Sequence, residues 1–212
     1  MNSVTGPDVN NLEMRLVKAA TAGDREARRD LFERYQRVAY QVAYRITGRS
    51  EDALDVVQDS FINAFDKLDR FQRESGFKTW LLRIVTNRAL DLLRSRKVRL
   101  AVPLNAGDDD APQLELPETD LDQRPGPARL IRQELGERLR VTVDGLPADQ
   151  RAVFALYATG DMTYGQIAEA LDIPIGTVMS RLYHARRRLR EELPDLAPDD
   201  GSQSDPQEGS SD

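Results

Sequence analysis

Wherever apolar residues recur periodically in this 212-residue chain, the period is that of a helix. Leu31, Tyr35, Val38, Val42 and Ile46 stand three or four positions apart, with Asp24 placed as an N-cap and Gly48 as a stop. Ser50 is expected to cap the next helix, whose apolar stripe is Leu54, Val57, Phe61, Ala64, Phe65 and Leu68. After the loop DRFQRESGF a third helix carries Trp80, Leu81, Ile84, Val85, Ala89, Leu92 and Leu93. No segment sustains the two-residue alternation of a strand, so the predicted fold class is all-α.

The periodicity lapses from Leu100 to Ala128, where Pro, Gly and Asp accumulate, and resumes at Arg129. This predicts two small helical domains, 11–99 and 129–193, joined by an acidic flexible linker at 100–128. A polar, acidic tail at 194–212 is expected to be disordered. Apolar runs are short and broken by charge, and the N-terminus MNSVTGPDVNN does not read as a signal peptide, so a cytoplasmic chain without membrane insertion is expected.

Cysteine is absent and His184 is the only histidine. Disulfides, Cys/His zinc sites and Ser-His or Cys-His catalytic pairs are thereby excluded. No enzyme activity and no cofactor are expected. Asp52, Asp55 and Asp59 share a helical face that could hold magnesium, but no other chemistry lies nearby, and a partner surface is the preferred reading.

The formal net charge of -6 conceals a strongly uneven distribution. Arg73, Lys78, Arg83, Arg88, Arg94, Arg96, Lys97 and Arg99 form one basic segment, opposed there only by Glu74 and Asp91. Arg181, Arg186, Arg187, Arg188 and Arg190 form a second. Around the first, Phe71, Phe77 and Trp80 supply the aromatic faces on which unpaired bases stack while basic side chains meet the phosphates.

The second basic segment ends the stretch MTYGQIAEALDIPIGTVMSRLYHARRRLREEL. Thr163 and Gln166 are spaced for a capping box, and the short helix they start breaks at DIPIG. Thr177 is then expected to cap a longer helix with Val178, Leu182, Ala185 and Leu189 facing inward. Met179, Ser180, Arg181, Tyr183, His184 and Arg187 are left facing outward. This is the layout of a helix-turn-helix, whose second helix enters the major groove of duplex DNA.

One chain thus pairs a duplex-binding module with a platform for unpaired bases. Over most of residues 24–96 and 146–193 it resembles the bacterial RNA polymerase sigma factors of the extracytoplasmic-function group, which keep only regions 2 and 4. The segments EDALDVVQDSFINAFDKLDRF, FKTWLLRIVTNRALDLLR and LPADQRAVFALYATGDMTYGQIAEALDIPIGTVMSRLYHARRRLR carry the resemblance. It implies a promoter-specificity subunit that binds core RNA polymerase through the beta-prime clamp helices and the beta flap, together with promoter DNA and an anti-sigma factor.

By the same resemblance, Asp55, Gln58, Asp59 and Phe61 match the surface that meets the clamp helices, although Phe61 also lies on the apolar stripe. The loop from Phe71 to Lys78, with Arg73, Ser75 and Phe77, matches the stretch that captures a flipped minus-10 base; Trp80, Arg83, Asn87 and Arg88 are grouped with it. Trp80 is read as a core residue before a DNA contact. Met179, Ser180, Tyr183 and His184 match the readers of the minus-35 element, with Thr177, Arg181 and Arg187 beside them. Two positions depart from the pattern: Met179 stands where many members carry a basic residue, and Asp172 where glycine is common.

Promoter elements roughly 17 base pairs apart lie on the order of 60 Å from each other. A flexible linker of roughly 29 residues averages about 30 Å and reaches about 95 Å, so the span demands extension. The alternative function is a homodimeric helix-turn-helix regulator that binds palindromic operators without polymerase.

Overall fold

The computed structural model describes residues 7–71, 76–101, 127–160 and 162–194. Eight α-helices occur among them, with no strand, as the periodicity requires. Most of the linker and nearly all of the tail lie outside the described residues, as do Arg73 and Ser75.

The first helix, α1 (Pro7–Thr21), is absent from the prediction, because its buried side rests on little more than Val17 and Ala20. Proline at its first position suits a helix start, where the missing N–H would have no partner. The second, α2 (Arg25–Thr47), begins as predicted: Asp24 Oδ1 accepts from the backbone N–H groups of Glu26 (2.9 Å) and Ala27 (3.3 Å). It ends at Gly48, whose left-handed φ of 73° lets its N–H return to the Tyr44 carbonyl.

The third helix, α3 (Ser50–Asp66), corrects two expectations. Ser50 lies within the helix, and its hydroxyl shares a 2.9 Å hydrogen bond with Tyr40 instead of capping. Leu54 is 53 % exposed, because the core side of α3 runs through Ala53, Val56, Val57, Phe61 and Ala64. A short 3-10 turn (Leu68–Arg70) follows, and then α4 (Phe77–Ala101), which buries Phe77, Leu81, Leu82, Val85 and Ala89. Helices α1 to α4 form one bundle, with α2 packed against the other three.

The second group comprises α5 (Pro127–Asp144), α6 (Ala148–Tyr157), α7 (Tyr164–Leu171) and α8 (Ile175–Glu192). The capping box at α7 is present: Thr163 Oγ1 accepts from the Gln166 N–H, and Gln166 Oε1 accepts from the Thr163 N–H. Asp172 ends α7 at φ 54°, ψ 48°, the left-handed conformation that the glycine of related turns adopts readily. The residue that caps α8 is Pro174, so Thr177 falls inside the first turn instead of before it.

The two groups share a continuous apolar core, with α6 against α2 and α7 against α4. Arg151 of α6 is the polar centre of this joint. Its Nη1 donates to the Ile46 carbonyl in the last turn of α2 (3.0 Å), and its Nη2 donates to the carbonyls of Leu146 (3.0 Å) and Asp144. The last carbonyls of a helix lack intrahelical partners, and a guanidinium suits both their lone pairs and the negative end of the dipole.

Candidate nucleic-acid interface

Three aromatic rings bracket residues 72–75. Phe71 lies 5.2 Å from Trp80 and 6.0 Å from Phe77, and Phe77 lies 5.8 Å from Trp80, centroid to centroid. Phe77 is fully buried against Tyr35, which is at odds with its expected role as a base contact: its ring packs between Tyr35 and the rings of Phe71 and Trp80. Phe71 and Trp80 are half-buried, so each packs on the core while keeping part of its face accessible. Trp80 thus packs on the core, as expected, with part of its surface left accessible.

Helix α4 begins directly after Gly76, which has no side chain to cap it. Glu13, from α1, supplies the acceptor instead, taking the Phe77 N–H on Oε1 at 3.0 Å and the Tyr35 hydroxyl on Oε2. Burial and the Glu13 bond raise the Tyr35 hydroxyl well above the usual phenol range. Nothing in the sequence spacing marks Glu13, which acts across 64 positions.

Beyond the first turn, Arg83, Asn87 and Arg88 lie exposed along the outer side of α4. Arg83 and Arg88 already have carboxylate partners: Arg83 pairs with Asp172 at 3.4 Å, and Arg88 Nε donates to Asp59 at 3.0 Å. Lys78 is half-buried in the first turn.

On α3, Asp55, Gln58 and Asp59 are exposed, whereas Phe61 is 3 % exposed and packs edge-on against Phe32 at 4.8 Å. Phe61 is thus a core residue and not a contact surface. The apolar positions on the outer side are Leu54 and Ile62, 53 % and 54 % exposed, in line with Gln58 at four-residue spacing. Leu54 thus faces outward, against the expectation from the apolar stripe, and Ile62 joins it although it lies off that stripe. Asp52 is buried and accepts from Arg96 at 2.8 Å, while Asp59 turns to Arg88, so the carboxylates do not converge on one point. Among the described residues no group of three His, Cys, Asp or Glu is placed to hold a metal ion.

On α8, the outer side presents Ile175, Met179 and Tyr183, each more than half exposed, together with Ser180, His184 and Arg187. Ile175 joins this surface because α8 starts earlier than predicted, with Pro174 instead of Thr177 at the N-cap position. The Tyr183 and His184 rings meet edge to face at 5.5 Å. Arg181 is half-buried and donates to Asp149 of α6 at 2.9 Å, which fixes it along the helix flank. Arg186 lies over the Tyr157 ring at 4.5 Å, and Arg187 and Arg188 each pair with a glutamate one turn on, Glu191 and Glu192.

An aromatic cluster at the start of a basic helix, an acidic and apolar helix face and a helix-turn-helix are together the layout of a two-module transcription initiation factor. The Sigma-70 region 2 family model matches residues 31–99, and the Sigma-70, region 4 model matches residues 136–189. The ECF RNA polymerase sigma factor SigW of Bacillus subtilis is 30% identical over 180 residues, 85% of this chain and 96% of that protein. The ECF RNA polymerase sigma-E factor of Escherichia coli K12 is 34% identical over 184 residues, 85% of this chain and 94% of its own length. Among solved structures, CnrH in complex with the cytosolic domain of CnrY aligns at a TM-score of 0.61 and 25% identity, covering 87% of this chain and 99% of that one. The fold is also that of the sigma factor RpoE of Bartonella quintana, solved with the anti-sigma factor NepR, at a TM-score of 0.55 and 22% identity. The chain belongs to the extracytoplasmic-function group of the sigma-70 family.

Proposed function

We propose that this chain directs core RNA polymerase to its promoters by dividing the work among three surfaces. The outer side of α8, from Ile175 to Arg187, reads the minus-35 duplex. The Phe71, Trp80 and α4 surface holds the opened minus-10 strand. The line Leu54, Gln58 and Ile62, flanked by Asp55 and Asp59, docks on the beta-prime clamp helices. The beta flap is assigned to the second module, and the polymerase supplies all catalysis.

The observation that carries this reading is the pairing, in one chain, of an aromatic platform with an exposed recognition helix. A homodimeric operator-binding regulator needs only the second, and it gives no account of the region 2 match over residues 31–99. No helix among the described residues is long and apolar enough to cross a membrane.

In the docked arrangement α7 lies on α4, with Arg83 and Asp172 3.4 Å apart, while the two promoter elements lie on the order of 60 Å apart. Docked modules cannot occupy both elements at once. Promoter binding therefore requires α7 to leave α4 and the connection between them to extend. An anti-sigma factor fits the same logic, as a partner that favours the docked form or covers the α3 face.

Run-off transcription with purified core polymerase over a promoter library tests the proposal. Transcripts from asymmetric promoters above the level of core alone are expected. A protein that shifts duplex DNA by itself yet stimulates no template would overturn it.

A further inference from the structure

Gly76, which precedes α4, offers no side chain to cap it, and among the described residues Glu13 accepts from the first N–H of the helix. The structure assigns that task to Glu13: we propose that this α1 carboxylate is a positioning residue for minus-10 strand capture, acting as the N-cap of α4 from a distant part of the chain. The inference rests on the minus-10 role proposed above for the α4 surface.

The geometry is specific. One carboxylate oxygen of Glu13 accepts from the Phe77 N–H at 3.0 Å, and the other accepts from the Tyr35 hydroxyl. Tyr35 is itself buried and stacks at a tilt on Phe77, with centroids 5.5 Å apart, so it fixes both the carboxylate and the ring beneath the platform. A negative group at the first turn also complements the positive end of the α4 dipole. Orientation of this turn matters because Lys78, Trp80 and Arg83 project from it and from the turn that follows, and because Phe71 packs on Phe77 and Trp80. Without the cap the first turn frays, and the platform loses its fixed angle to the rest of α4.

Glu13→Gln keeps an acceptor oxygen for the Phe77 N–H, whereas Glu13→Ala keeps none. The two variants therefore separate capping from general helix packing. Trp80 is the only tryptophan, so its emission in the free protein reports the local geometry directly. Hydrogen exchange at the Phe77 amide reports the bond itself.

The test uses full-length chain assembled with core polymerase and a minus-10 non-template oligonucleotide taken from a promoter that the wild-type holoenzyme selects. Glu13→Ala is expected to lose roughly tenfold in affinity for this strand, the scale of a lost N-cap, with red-shifted Trp80 emission and a deprotected Phe77 amide. Its affinity for the minus-35 duplex and for core stays within about twofold of wild type. Glu13→Gln is expected to restore strand affinity, emission and amide protection. Equal strand affinity for wild type and Glu13→Ala overturns the proposal, as does a Gln variant as impaired as Ala, or a parallel loss of minus-35 and core binding. If the wild-type holoenzyme itself captures no minus-10 strand while the Phe77 amide still depends on Glu13, the platform reading fails and the cap stands as a purely structural device.

Discussion

Arg88 of α4 donates through Nε to Asp59 of α3 at 3.0 Å, and so links a residue assigned to DNA with one assigned to polymerase. Both side chains are about half exposed, and the pair lies at a shallow groove between the two helices. A polymerase group that claims Asp59 would release Arg88 toward the DNA backbone. A double-mutant cycle on Arg88→Ala and Asp59→Ala should give a coupling of about 0.2–1 kcal/mol in urea unfolding that fades in high salt, as for exposed pairs generally. In binding assays the effects should split, with Asp59→Ala weakening core association and Arg88→Ala weakening promoter association.

The joint at Arg151 is a different kind of contact, because its side chain is only 13 % exposed and its partners are backbone carbonyls of Ile46, Asp144 and Leu146. Arg151→Ala should cost about 2–4 kcal/mol in unfolding, through carbonyls left without donors and a cavity at the joint. Arg151→Lys should recover little, since an ammonium cannot span the same set of acceptors. Urea titrations of the full chain measure both.

Asp144 beside it provides a pH test. Burial raises its carboxyl above the usual aspartate range, against the opposing pull of Arg151 and Arg140. A raised folded value means that its contribution to stability is fully present below the ordinary aspartate pKa and is lost as pH rises through the raised one. The stability difference between wild type and Asp144→Asn should therefore shift in favour of wild type as pH falls from neutral into the acid range. Paired denaturation curves at stepped pH read this directly.

On α8, Met179 is 54 % exposed and brings no charge to the outer side of the helix. Met179→Arg should strengthen minus-35 duplex binding at low salt and steepen the salt dependence by about one phosphate's worth, a slope change of roughly 0.9. Ser180→Ala and Tyr183→Ala should instead change which minus-35 sequence is preferred, as scored by competition among duplexes.

At the turn before that helix, Asp172 adopts the left-handed conformation and pairs with Arg83 across the module boundary. Asp172→Gly should keep the turn intact and lose only the exposed ion pair, at most about 1 kcal/mol. Asp172→Val should destabilise the second module further, because a β-branched residue resists that backbone conformation. Thermal melting of the two variants distinguishes turn strain from lost docking.

Much of this was legible in the residues, and the failures have physical reasons. Helices α2, α7 and α8 announce themselves by long stripes and by Asp24, Gly48 and Thr163, groups whose side chain or lack of one acts within a turn of its own position. On α3 the leucine at position 54 suggests an inward face by its size, yet the buried side runs through the smaller Ala53 and Val56. Phe61 and Phe77 sit within the segments assigned to polymerase and to DNA, yet their rings face the core; a motif fixes position along the chain without fixing the direction a ring takes. Glu13 and Arg151 were invisible because their partners are backbone groups 64 and 105 positions away, and backbone atoms leave no signature in sequence.

Gly48 closes α2 at a positive φ, and a Cβ built there would stand 2.8 Å from Asp144 Oδ1, a short side chain already held by Arg140 and close to Arg151. Any larger residue at this point is strained in its own backbone and forces the Asp144 carboxylate of the second module to shift. An absent methyl group at position 48 thus lets the end of α2 seat directly against the Asp144 carboxylate, so a side chain inserted there probes how firmly the two halves hold together.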